Sequence, residues 1–257
     1  MNLKFIMLSV LVSVFATATH AAPSQSVFDH IVKQGVPRDA LERLVKFMDD
    51  FRGRTFNQET YTCDGYSSES VKPCSESDRS NSTTRVTLEN PEYVVIIDYG
   101  APSTERRFFY INLRSGIVEK YYVSHGRGSG ESNYATKFSN IKNSKQTSLG
   151  IYLTGETYDG KYGETLRMYG LQNSNDQAYN RDIVMHGAWY VSEDFINSTN
   201  PSTGRDFGRL GLSWGCPALS RTVAERLIPR LKNGSLIMHY HEPLMEASLS
   251  GREVKAP

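Results

Sequence analysis

Residues 92–124 read EYVVIIDYGAPSTERRFFYINLRSGIVEKYYVS, and this stretch decides the fold. Three short runs rich in β-branched and aromatic residues, EYVVIIDYG (92–100), RRFFYINL (106–113) and GIVEKYYVS (116–124), follow one another with turn-forming residues between them. The last two meet at Arg114-Ser115-Gly116, a hairpin signal. Similar runs follow at LGIYLTGE (149–156), ETLRMYGL (164–171), DIVMHGAWYV (182–191) and GSLIMHYH (234–241), separated by Gly and Asn clusters. Consecutive strands without long helices between them predict a mainly β domain, an antiparallel sandwich or barrel rather than a βαβ fold. TVAERLIPRL (222–231) is one short late helix, which Pro229 is expected to cut short.

Upstream the period is helical. Val27, Phe28, Ile31 and Val32 share a face until Gly35, and Leu41, Leu44, Val45, Met48 and Phe51 repeat the pattern between Pro37 and Gly53. These two N-terminal helices are expected to pack on the β domain. Residues 62–84 are polar and Ser-rich, which predicts a surface loop pinned by a Cys63–Cys74 disulfide. Closing so short a loop stabilises by about 3 kcal/mol in the chain-entropy model.

At the N-terminus Lys4 precedes an apolar run from Phe5 to Phe15, and Thr19-His20-Ala21 suits a signal-peptidase cut after Ala21. The expected organisation is a signal peptide over 1–21, a helical extension with the disulfide-pinned loop over 22–91, a catalytic β domain over 92–241 and a tail over 242–257. No later stretch offers a membrane span, so an exported protein of the periplasm or cell envelope is expected. The whole chain has 29 Lys+Arg against 28 Asp+Glu, and losing Lys4 with the signal leaves it formally neutral, without an electrostatic footprint for nucleic acid. No metal motif or cofactor is implied, and the oligomeric state is undecided.

In an oxidising compartment, pairing Cys63 with Cys74 leaves Cys216, in GLSWGCPALS (211–220), without a partner. An unpaired cysteine in an exported protein is an intermolecular partner or a working thiol. His186, at the end of an apolar run, is the candidate base that would activate it. Gly215 would let a substrate carbonyl approach the N–H groups of Gly215 and Cys216 as an oxyanion hole. The competing readings are a core histidine and a tight turn with a buried cysteine.

HGAWYV (186–191) followed by SWGCPAL (213–219) resembles the L,D-transpeptidase catalytic (YkuD-like) domain, in its murein branch. The resemblance runs through VSHGRGSG (123–130), ATKFSN (135–140), TSLGIYLTGETYDGKYG (147–163) and LRMYGLQ (166–172), covering roughly 92–241. It implies a β-sandwich enzyme acting on peptidoglycan stem peptides: a cysteine forms a thioester with a tetrapeptide stem, and an amine acceptor resolves it into a 3-3 cross-link. On that resemblance Cys216 is the nucleophile, His186 the base, Gly187 the carbonyl that orients the imidazole, and Gly215 an oxyanion donor. Ser213, Trp214 and His125 are the candidate substrate contacts. Trp214 and Ala218 replace the histidine and polar residue of the better-known branch, so substrate contacts do not transfer simply.

Alternatives stay open on sequence alone. The same site would serve an L,D-carboxypeptidase or another peptidoglycan hydrolase, and an inert Cys216 would make the chain a non-catalytic peptidoglycan-binding sandwich. A base at His239 or His241, after the cysteine as in papain-like peptidases, is a further option. The long segment between His186 and Cys216 is expected to be a lid or acceptor-binding loop.

Overall fold

The computed structural model describes residues 22–65, 71–89 and 91–244 and the backbone of 253–255. The expected signal peptide, 1–21, lies outside the described residues. Helix α1 (Gln25–Lys33) starts at Ser24, whose hydroxyl accepts from the Val27 N–H, and α2 (Arg38–Phe51) starts after Pro37. Their apolar stripes bury Phe28, Ile31, Leu41, Leu44 and Met48 in the same core as the central strands, so 22–91 and 92–241 share one interior.

The loop expected over 62–84 is shorter, lying between two strands. Strands β1 (Thr55–Cys63) and β2 (Arg79–Thr87) form an antiparallel hairpin in unbroken register from Thr55↔Thr87 to Cys63↔Arg79. Its inward positions include Gln58 and Thr60, which are buried, so the pair carries no apolar alternation. The disulfide does join Cys63 to Cys74, with Cα atoms 6.0 Å apart.

The rest of the chain runs β3 (Tyr93–Asp98), β4 (Phe108–Asn112), β5 (Val118–Tyr121), β6 (Lys137–Ser139), β7 (Gly150–Gly160), β8 (Gly163–Gly170), β9 (Val184–Ala188), α3 (Glu193–Ile196), β10 (Ala218–Ser220), α4 (Arg221–Leu231), β11 (Leu236–Tyr240) and β12 (Glu253–Lys255). Eight strands form one sheet in the order β10-β9-β8-β7-β11-β3-β4-β5, and β6 pairs with β12 apart from it. The protein is mainly β, with helices at the start and late in the chain. The sheet is mixed rather than antiparallel throughout, because β10 runs parallel to β9 and β11 parallel to β3.

The β9–β10 pairing explains the long segment after His186. Parallel neighbours need a crossover of a dozen or more residues, and residues 189–217 supply it. Val191 and Leu210 anchor it in a small core with Ala188 and Ala218, and Phe195 stacks on Phe207 at 4.5 Å. Pro229 does not stop α4, which continues to Leu231. So near the C-terminal end a proline costs little of the ladder, and buried Ala224, Leu227, Ile228 and Leu231 hold the helix on the sheet.

Candidate active site

The β9–β10 register sets Ala218 beside His186, and Cys216 lies two residues before Ala218, in the turn that leads into β10. The sulfur rests 3.5 Å from the Asp182 carbonyl, just ahead of β9, rather than on the imidazole. His186 is nearly buried, at 8% exposure. Its Nδ1 lies 2.8 Å from the Gly187 carbonyl, so Nδ1 carries the proton and Nε2 keeps its lone pair. Tyr162, at the tip of the β7–β8 hairpin, stacks on the imidazole with ring centroids 5.2 Å apart.

Burial pushes the Cys216 thiol above its ordinary value. The Val184 N–H and the guanidiniums of Arg181 and Arg167 pull the other way, while the Asp182 carboxylate adds to the rise. Burial pushes His186 below its ordinary 6.5, opposed by its bond to the Gly187 carbonyl. The two shifts favour a neutral thiol and a neutral imidazole at rest. Proton transfer then accompanies attack, which is general-base chemistry rather than a stored ion pair.

The turn before the cysteine is shaped by backbone packing. The Ser213 hydroxyl donates to the Cys216 carbonyl at 2.6 Å and accepts from the Gly215 N–H at 3.2 Å. Gly215 has φ +120°, and a methyl group there would lie 2.7 Å from the Gln146 carbonyl oxygen. Gly215 is required by its left-handed backbone and by the Gln146 carbonyl, and its N–H meets the Ser213 hydroxyl. Ser213 is buried and closes the turn.

His125 is held within the fold. It is fully buried; Arg107 Nη2 lies 2.9 Å from its Nδ1, and its Nε2 lies 3.0 Å from the Gly130 carbonyl. Arginine cannot accept, so Nδ1 accepts and Nε2 donates: a structural histidine with both nitrogens used. Gly126 beside it forms a bridge to Ser213, and the Ser213 N–H donates to the His125 carbonyl at 3.0 Å. Thus the His125-Gly126 pair supports the nucleophile loop from behind. Trp214 is 72% exposed, with Lys145 Nζ 4.7 Å from its ring centroid, and remains free to meet a substrate.

The late histidines have contacts of their own. His239 is fully buried, bonded through Nδ1 to the Ser148 carbonyl at 2.9 Å and packed on Tyr152, and His241 packs on Phe138. Sequence reasoning gave no role to Tyr162 or Asp182; the first sits in the hairpin tip DGKYG, and the second has a left-handed φ of 52° that no spacing announces. Among the described residues no cluster of three or more His, Cys, Asp or Glu could hold a metal ion.

Burial, then the Arg107 charge, pushes His125 down to about 3. The unfolded chain takes up that proton near 6.5 and the native chain does not, so the contribution to stability is complete above 6.5. It shrinks as pH falls from 6.5 toward about 3. The slope is about 1.4 kcal/mol per pH unit. Urea unfolding at pH 6.5 and pH 5 should therefore show a loss about 2 kcal/mol smaller in His125→Gln than in the wild-type chain. Equal losses would refute the assignment of a neutral buried imidazole.

A family model for the L,D-transpeptidase catalytic domain matches residues 70–240. No curated protein sequence matches the chain. Among solved structures, an L,D-transpeptidase from Mycobacterium smegmatis aligns at 14% identity and TM-score 0.34, covering 62% of this chain and 63% of its own, so the chain spans just under two thirds of that relative. Another, from Mycobacterium tuberculosis H37Rv, aligns at 14% identity and TM-score 0.33, covering 79% and 83% respectively. With the family model spanning β2 through β11 and both Cys216 and His186, this chain belongs to the L,D-transpeptidase catalytic domain family.

Proposed function

We propose that the chain is an exported L,D-transpeptidase that remodels peptidoglycan through Cys216. Neutral His186 takes the thiol proton as the sulfur attacks the carbonyl of the third residue of a tetrapeptide stem. The bond to terminal D-alanine breaks, and His186 returns the proton to the leaving amine. A thioester remains on Cys216. An amine from a second stem attacks it, loses its proton to His186 and restores the thiol, leaving a 3-3 cross-link.

The observation that supports this reading is the parallel pairing of β10 on β9, which brings Ala218, two residues after Cys216, beside His186, while the Gly187 carbonyl fixes the tautomer a base requires. The Cys216 N–H makes no hydrogen bond among the described residues and is the donor available to the oxyanion. Exposed Trp214 and the Tyr162 ring over His186 offer apolar walls to a stem peptide.

The test is mass spectrometry of the protein quenched in acid after incubation with tetrapeptide muropeptides. The peptide containing Cys216 should gain the mass of a stem lacking D-alanine, and dimers should accumulate. Tripeptide without dimer would convert the reading to a carboxypeptidase. No adduct on Cys216 with either outcome would end it.

A further inference from the structure

The proposed chemistry leaves unused a charged cluster directly behind the sulfur. Asp182 contributes the carbonyl that faces Cys216, in a left-handed conformation that non-glycine residues seldom adopt. Its carboxylate is held on three donors: Arg167 Nη1 at 3.0 Å and the Tyr61 hydroxyl on one oxygen, and Arg79 Nη2 at 2.7 Å on the other. Arg167 is 1% exposed, and its guanidinium lies 4.3 Å from the centre of the Tyr179 ring. A buried cation is costly unless each of its donors is met, so this cluster is built as a unit.

Both arginines also reach the loop that the disulfide closes. Arg167 Nε donates to the Val71 carbonyl at 2.8 Å, and Arg79 donates to the Cys74 carbonyl at 2.8 and 3.2 Å. The bridge thus fixes two carbonyls, the carbonyls fix two guanidiniums, and the guanidiniums fix the carboxylate of the residue whose own carbonyl holds the thiol. Tyr61, Arg79 and Arg167 thus converge on the carboxylate of the residue whose carbonyl faces the thiol. Resting on the reading of Cys216 as the nucleophile, we propose that Asp182 is a positioning residue for that thiol, and that the Cys63–Cys74 loop sets the thiol's reactivity through Arg79 and Arg167.

Several groups face the thiol in this arrangement: the Asp182 carboxylate, the guanidiniums of Arg167 and Arg181 and the Val184 N–H, with the hydroxyls of Tyr99, Tyr152, Tyr158 and Tyr190 around it. Loosening the clamp moves two of these charges together. Asparagine tolerates the left-handed region, so Asp182→Asn removes the carboxylate while leaving the turn accessible. Cys63→Ser/Cys74→Ser opens the loop and leaves Cys216 as the one thiol in the chain.

The experiment measures the rate of alkylation by iodoacetamide between pH 5 and 10 for the full chain, with Cys216→Ala as the blank, and stem transfer in parallel. Asp182→Asn and the double serine variant should each displace the midpoint of the pH–rate curve by about 0.5 or more. Each should also lower transfer by about 10-fold or more. Combining the three substitutions should add little, because all act through one clamp. An unmoved midpoint in both variants, or effects that simply multiply, would overturn the proposal. Should the serine variant fail to fold, Arg79→Lys, which keeps the charge and loses the fork, takes its place in the cycle with the same expectation. Displaced midpoints in a chain whose wild type performs no Cys216-dependent transfer would uphold the positioning and reject the enzymatic reading. Normal transfer with unmoved midpoints would do the reverse.

Discussion

Cys216→Ala is expected to reduce 3-3 dimer formation to the blank, and His186→Gln to lower it by about 10²–10⁴-fold, the usual contribution of a positioned base. The first loss is complete because no other free thiol is present to form the ester. The second is partial, since the thiol still ionises unaided at high pH. Burial has raised the thiol and lowered His186, so the imidazole is in its competent neutral form at pH 7. The acid limb of the rate must then lie below 6.5 and reflect His186 taking up its proton. In His186→Gln that limb should vanish, leaving a rate that climbs with pH as the bare thiolate forms. A steady-state dimer assay from pH 5 to 10 reads both effects. An acid limb that survives in His186→Gln would assign the base elsewhere, and product from Cys216→Ala would remove the thioester from the reaction.

Much of this site could be read from the chain because chemistry and pattern agree there. The central strands carry long β-branched runs, such as YVVIID in β3, which bury four consecutive residues and therefore announce themselves. Cys216 stood out by arithmetic, as the third of three cysteines once Cys63 and Cys74 are paired. The β1–β2 hairpin stayed hidden because its inward side is Gln58 and Thr60, and a strand that buries hydroxyls and amides has no apolar period to detect. Parallel pairing of β10 with β9 could not be seen either, because β10 is three residues long and its partner lies across a crossover. The Asp182 cluster draws on residues 61, 79, 167 and 182, which no spacing rule links. Arg167, in the middle of TLRMYG, was its one legible sign: a cation amid an apolar strand demands a partner. The places of Ser213 and His125 could not be read from the chain: the Ser213 hydroxyl meets the Cys216 carbonyl, and His125 lies between the Arg107 guanidinium and the Gly130 carbonyl.

That division of labour predicts the largest effect away from the reacting atoms. Gly126→Ala should cripple the enzyme although residue 126 touches neither sulfur nor imidazole. A methyl group there would lie 2.4 Å from the Lys145 carbonyl oxygen, 2.8 Å from Gly215 Cα and 2.9 Å from Gly215 N. All three neighbours are backbone, so no rotamer change relieves the clash; the segment bearing Gly126 or the turn bearing Gly215 must move. Two hydrogen bonds resist the movement, from the Gly126 N–H to the Thr147 hydroxyl at 3.0 Å and from the Arg127 N–H to the Ser213 carbonyl at 2.8 Å. Overpacking of this kind costs about 1–3 kcal/mol, which thermal unfolding will register as a lowered midpoint. The catalytic loss should be larger than the stability loss implies. Gly215 is joined directly to Cys216, and a displacement of about 1 Å in a reacting atom can cost about 10²-fold in rate. The expected signature is a folded chain, measured well below its melting temperature, with kcat reduced by about 10²-fold and its free thiol still titratable by a small alkylating reagent. Wild-type kcat in a folded Gly126→Ala chain would show that the backbone contact between residues 126 and 215 does not position the nucleophile.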